Sequence, residues 1–406
     1  MTFSPIKSVF QDIKTLQSYF LIAIGFFTPL SVAISTLLIV CFLVLWLLEG
    51  NYQNKFRLIH ANKISYPFLL FFLIHLVGLL WSEDLTWGVH IVGKEWRILL
   101  LLFFITSVKK EHIQYYIFAF LLAMSISEIC SYLIWFEIIS PFKSATVTNP
   151  TPFMGHISYN PFLALSIFIL LYLSILSQKY HNNFTKSISL FFIFTMSINL
   201  FITGGRAGQA GFFVMLIVAL AFYFKKSITK LLISICVLLP LVFSAAYFSG
   251  SLFQERMHEA LDDIQTVDEN PNTSVGLRIT FAKNSAELFS KNFLFGVGTG
   301  DFPKEYEKIN NQNTPNANTT VNPHNMYLLV ATQTGLVGLI LLLSIFYMQF
   351  KISLENKNSL LPLQIALPIL FLTIMFSDSY LLGHHTTLLF VYFSSFLYKT
   401  SWDSKA

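Results

Sequence analysis

Apolar runs long enough to cross a bilayer follow one another along most of the chain, separated by short polar breaks. A hydrocarbon core about 30 Å thick takes roughly 20 residues of helix. The first run, 18–48, holds no charge and is too long for one span; Pro29 divides it into helices near 16–29 and 31–48. Further spans are predicted near 64–82, 88–108, 113–136, 157–176, 187–203, 207–224, 231–249, 325–349, 361–381 and 384–398. That makes about twelve, with both termini on one side. The long polar stretch 250–323 is then one loop between spans nine and ten. The chain divides into 1–249 with nine spans, 250–323 as the loop, and 324–406 with three spans and a tail. Gln11–Thr15 leads straight into a run that continues to a second span, unlike a cleavable signal peptide.

Composition agrees with this pattern. Hydrophobic residues are 54% of the chain and charged ones 12%, against about 25% charged in a soluble domain. A chain so poor in charge cannot solvate its own surface, so the fold class is an all-α polytopic membrane protein. Cys41, Cys130 and Cys236 all sit in apolar runs, which excludes a disulfide framework or a zinc ribbon.

Charge adds orientation. Sixteen of the 26 basic residues, Lys109, Lys110, Lys179, Lys225, Lys226 and Lys405 among them, fall in the termini and the even-numbered connections. Basic residues in short loops mark the cytoplasmic side, so both termini are expected there and the long loop outside. Six basic and ten acidic residues leave that loop at net −4 and the remainder at +9. The overall +5 is thus a topology signal, met by anionic lipid, and implies no nucleic-acid partner.

Within the loop, 250–274 reads as a short polar helix followed by turns. Val275–Asn292 spaces Leu277, Phe281, Leu288 and Phe289 as an amphipathic helix, expected on the membrane surface or over a cavity. Phe295-Gly-Val-Gly-Thr-Gly-Asp-Phe302 is a glycine-rich turn; neither a strand before it nor a helix directly after it is evident, so it is no dinucleotide fingerprint. Residues 309–322 form a polar, low-complexity stretch expected to be mobile.

Three positions at the outer edge carry candidate chemistry. His324 stands at the mouth of a span beside Asn325, where the plain alternative is helix capping. Arg206 sits in Ile202-Thr-Gly-Gly-Arg-Ala-Gly208, whose glycines would let a ligand approach its guanidinium; snorkelling is the alternative. Arg278 lies one turn into the amphipathic helix. Lys94, Glu95 and Arg97 open span four, where Lys94 and Arg97 either touch phosphate or pair with Glu95. His384 and His385 point to different helix faces, which disfavours chelation. Asp262 and Asp263 read as a solvated face, and Glu128 and Asp378, inside spans five and eleven, as groups satisfying polar neighbours.

Taken in order, Gly276-Leu-Arg278, the 295–302 turn, and His324-Asn325 followed by nine residues and Gly335-Leu-Val-Gly338 resemble the O-antigen ligase / O-antigen polymerase superfamily. The His-Asn-nine-Gly-two-Gly pattern is similar to the ligase signature, and Thr203-Gly-Gly-Arg206 to the family's outer-edge arginine. The polymerase branch tends to show Arg-ten-Gly repeats, but positions eleven after Arg206, Arg256 and Arg278 are Ile217, Val267 and Phe289. The protein-glycosylating branch carries a larger C-terminal extension, and this chain runs eight residues past Tyr398. Ligase is the nearer likeness.

The resemblance implies a GT-C-like fold in the bacterial inner membrane, joining an undecaprenyl-diphosphate-linked glycan to a lipid A–core hydroxyl at the periplasmic side. With it, Arg206 and Arg278 are expected at the diphosphate and His324 as base of an inverting displacement; Asn325, Lys94 and Arg97 are the substrate-binding candidates, and since the outer loops hold no Asp-x-Asp pair, no metal or other cofactor is expected. The alternatives are an O-antigen polymerase, a protein O-oligosaccharyltransferase, or a transporter of lipid-linked glycan. A transporter predicts matching halves and broken midplane helices, and no matching halves are found.

Overall fold

The computed structural model describes residues 5–177, 183–249, 252–267 and 269–402, and every element in them is helical. Lys179, Lys405 and the start of the expected loop at Gly250 and Ser251 lie outside the described residues. The chain begins with α1 (Pro5–Phe27), α2 (Val32–Glu49), the short α3 (Tyr52–Ala61) and α4 (Ser65–Val77). Next come α5 (Leu85–Glu95), a single tight turn Trp96–Leu99, and α6 (Leu100–Ser107). Four long helices follow α7 (Ile113–Trp135): α8 (His156–Leu171), running on as a wider turn to Leu176, α9 (Asn183–Ile202), α10 (Arg206–Tyr223) and α11 (Ile228–Phe248). Three helices fill the long polar stretch, α12 (Leu252–Gln265), α13 (Ser274–Lys291) and α14 (Phe302–Asn313). The bundle closes with α15 (Met326–Glu355), α16 (Leu361–Ile374) and α17 (His384–Leu397).

All twelve expected apolar runs are helical, but length and apolarity qualify seven helices as spans, or eight if the bent pair α3–α4, turned by 96°, counts as one. Part of the difference lies in the short helices α16 and α17, and part in the tight turn that splits α5 from α6. α16 and α17 have 14 residues each, about 21 Å at 1.5 Å per residue. Nearly every residue of α17 from Thr386 to Leu397 is buried. A helix covered on all sides needs no full-length lipid-facing stripe. At the other extreme, only Ala246 of α11 is buried.

The aromatic core gathers around α17. Phe390 stacks on Phe68 of α4 and lies 4.6 Å, centroid to centroid, from Phe371 of α16, while Phe393 meets Phe120 of α7 edge-on. A smaller core of Phe281, Leu288, Phe302, Tyr306, Ile309 and Leu329 joins α13 and α14 to α15. The amphipathic helix therefore covers protein rather than lying free on a membrane, with Thr280, Phe281, Asn284, Ser285 and Leu288 as its inward stripe.

The glycine-rich turn fastens this insertion to the bundle. α15 is broken at Gly335, with φ 67° and ψ −163°, a backbone region that glycine alone adopts without strain. The carbonyls freed at the break are taken up by the turn: Val297 N–H donates to Thr332 O (2.9 Å) and Gly298 N–H to Gln333 O (3.0 Å). In return, Leu336 N–H donates to Phe293 O (2.8 Å). The turn's far side is clamped by Asp301, whose carboxylate accepts from the N–H groups of Glu83 (2.9 Å) and Asp84 (2.7 Å). Gly335 thus serves a helix break.

Two expectations for this region are corrected. A helix, α14, does follow the turn directly. The 309–322 stretch is tied down rather than loose, because Asn284 Nδ2 donates to Asn310 (3.2 Å) and Thr314 (2.8 Å), and Asn310 Nδ2 to Ala317 O (2.9 Å). Asp263 also has a use beyond solvation, accepting from Val275 N–H (3.0 Å) at the start of α13.

Candidate functional site

Arg206 is set by the break between α9 and α10. The freed carbonyls there are met by side chains: Asn160 Nδ2 donates to Leu200 O (3.1 Å) and Gly205 O (3.2 Å), and Gln209 Nε2 to Thr203 O (3.0 Å). Thr203 Oγ1 donates to Asn160 Oδ1 at 2.8 Å. The flanking glycines, expected to open a path to the guanidinium, have another use: a Cβ on Gly205 or Gly208 would collide with Asn160, so they let α10 close on α8. The break is rigid, and Arg206 leaves it as the first residue of α10.

Two other arginines meet it. Arg278, in the second turn of α13, and Arg256, on α12, line the same cavity of about 130 Å³ as Arg206, together with His156, Asp378 and Tyr380. Glu259 lies 2.8 Å from Arg256 Nη1 and 3.4 Å from Arg206 Nη2. Burial and the neighbouring Asp378 raise the Tyr380 phenol above its ordinary range, which keeps it neutral. Three guanidiniums against one lining carboxylate leave the cavity cationic, suited to a multiply charged anion.

His324 stands at the edge of this cavity through Asp378. Its Nδ1 lies 3.2 Å from Asp378 Oδ1. An Nδ1–H donated to that carboxylate orients the ring and leaves Nε2 as the free lone pair. Phe281 of α13 stacks on the imidazole, with centroids 6.2 Å apart. The His324 backbone is left-handed, φ 51°, and is held there by its N–H donating to Asn322 Oδ1 (3.0 Å), which also accepts from Ser379 Oγ (2.8 Å). Asn325 is the cap: its Oδ1 accepts from Leu328 N–H (3.1 Å) and its Nδ2 donates to Phe376 O (3.2 Å). Capping therefore falls to the asparagine, and the histidine beside it is left exposed toward the cavity's edge.

The remaining candidates lie apart. Lys94 and Arg97 do not line the arginine cavity; Arg97 Nη1 donates to Lys94 O at 3.0 Å. Glu95 does not pair with either, but turns into the bundle, 3.2 Å from His75 Nδ1. His384 is held to α2 through Ser35 Oγ (3.0 Å) and His385 to the α1–α2 connection through Thr28 O (2.7 Å), with their rings at 89°. Among the described residues, no group of three or more His, Cys, Asp or Glu could hold a metal ion.

Arg256 and Asp378 are the residues that sequence reasoning did not assign. Arg256 reads as one more charge on a polar helix with a glutamate three residues on. Asp378 was placed inside an apolar run reaching residue 381, yet α16 stops at Ile374 and turns bring the carboxylate back over the cavity.

Residues 191–343 match the family model described as O-Antigen ligase. The matched stretch runs from α9 into α15 and carries Arg206, Arg256, Arg278 and His324. No curated protein matches the chain.

Proposed function

We propose that the chain is a member of the O-antigen ligase / O-antigen polymerase superfamily, whose family model matches residues 191–343, and that within it this protein is the ligase. In this reading it joins a glycan carried on undecaprenyl diphosphate to a sugar hydroxyl of lipid A–core, at the periplasmic face of a bacterial inner membrane with both termini cytoplasmic. The observation that carries it is the cationic cavity abutting the Asp378–His324 pair.

The chemistry follows from the geometry. His324 Nε2 takes the proton of the acceptor hydroxyl, whose oxygen attacks the anomeric carbon. The bond from that carbon to the diphosphate oxygen breaks on the opposite face, and the diphosphate departs with the electron pair. Arg206 and Arg278 meet the negative charge that develops there, and the anomeric centre inverts. Asn325 acts on this step by fixing the start of α15.

Room for the lipid lies alongside. A largely apolar groove of about 610 Å³ between α7, α9, α11 and α12, lined by Trp135, Phe194, Phe201 and Val242, reaches Thr148 and Glu255. These are the chain neighbours of the cavity residues Asn149 and Arg256, so a prenyl chain in the groove would present its diphosphate to the arginines. Lys94 and Arg97, outside the cavity, are then assigned to phosphate on the acceptor lipid.

The test supplies purified protein with lipid-linked glycan and either lipid A–core or a second lipid-linked glycan. Transfer to lipid A–core supports the ligase. Product on the second lipid-linked glycan alone makes the protein a polymerase.

A further inference from the structure

One arm of the arginine cavity is engaged by a group of the protein itself. The same Glu259 oxygen that lies 2.8 Å from Arg256 Nη1 lies 3.4 Å from Arg206 Nη2. We propose that Arg256 is a third ligand of the donor diphosphate, and that Glu259 is its exchangeable counter-ion, holding Arg206 and Arg256 until the diphosphate displaces it. The inference rests on the reading above, in which the cavity receives a lipid-linked diphosphate.

Four observations support it. Arg256 lines the cavity with Arg206 and Arg278 although it comes from a different helix. One anionic oxygen shared by two guanidiniums is the arrangement that a diphosphate oxygen would adopt between the same forks. The pair is also easily exchanged: the side chains of Glu259 and Arg256 are each 42% exposed and that of Arg206 28%, and such solvent-screened pairs have little net strength. A diphosphate brings more charge and more acceptor oxygens, so it wins the competition.

The mounting of α12 fits a counter-ion that moves. Its one buried residue is Phe253, wedged against Phe201 and Phe243. It is also tied by His258 Nε2 to Tyr247 Oη of α11 (2.8 Å) and by Asp263 to the start of α13. Glu259 is in none of these ties, and its ion-pair partners among the described residues are the two arginines alone. Without Glu259, three guanidiniums would face one small cavity with Asp378 as its lining carboxylate whenever donor is absent.

The experiment uses the full-length purified enzyme, with steady-state kinetics in lipid-linked glycan and in lipid A–core, and with inorganic diphosphate as competitor. Arg256→Ala should raise the donor KM about tenfold or more, the loss of one charge-assisted hydrogen bond, and leave the acceptor KM unchanged. Arg256→Lys should recover part of that loss. Glu259→Gln should lower the donor KM about three- to fivefold, the release of a surface ion pair, and strengthen inhibition by inorganic diphosphate. A Glu259→Gln enzyme whose donor KM is unchanged or raised overturns the counter-ion role. An Arg256→Ala enzyme with normal donor KM, when Arg206→Ala and Arg278→Ala abolish transfer, sinks this inference and leaves the ligase reading standing. Normal turnover in all three arginine variants removes the diphosphate site itself.

Discussion

In the proposed reaction, His324 couples strain to chemistry. A non-glycine residue in the left-handed region carries a conformational cost of about 1–3 kcal/mol, and here φ is 51°. The bonds to Asn322 and Asp378 hold it there. Glycine at this position removes the base and the strain together. His324→Gly should therefore abolish transfer with a Tm equal to or above the parent's, measured in the same detergent. A drop in Tm with partial activity would make the histidine structural. At this scale His324 and Arg206 could be singled out because each is a scarce polar group at the end of an apolar run, and Arg278 because it stands near the start of the amphipathic helix. Arg256 and Asp378 could not, since the properties that recruit them, a shared cavity and a turn after α16, arise only from tertiary contacts.

Among the elements, the break in α15 determines where the whole insertion sits. Gly335 is doubly required: its φ is 67°, and a Cβ there would collide with Leu294 O and Phe295 N. Gly335→Ala should cost more than about 2 kcal/mol and strip activity together with stability. Gly93 offers the contrast, an α5 glycine with nothing within 4 Å of its missing Cβ. Gly93→Ala should be neutral or raise stability by up to about 1 kcal/mol; thermal melts of the two variants check both. The sequence showed the two glycine signatures, at 295–302 and at 335–338, as separate features. That they are two halves of one joint was hidden, because an unbroken apolar run hides a break whose carbonyls find partners elsewhere in the chain.

For the whole molecule, the alternation of apolar runs located the long helices of the bundle, though not the short α3, and did not give their places within it. Hydropathy cannot tell a lipid-facing helix from one enclosed by others, which is why the short α16 and α17 and the peripheral α11 all read alike. Their energetics differ. Phe390 is fully buried among aromatic rings, so Phe390→Ala should destabilise the fold by about 3–5 kcal/mol. Val237 of α11 is 61% exposed, and Val237→Ala should move stability by less than about 0.5 kcal/mol; equal losses would place α11 inside the packed core. One helix of the insertion has a larger consequence. α13 carries Arg278 and, three residues on, Phe281 against the His324 ring. In the proposed reaction a single rigid rod therefore fixes the span between the point where negative charge emerges and the point where a proton is taken. Under that reading it is a ruler set to one bond, the one that breaks as its neighbour forms.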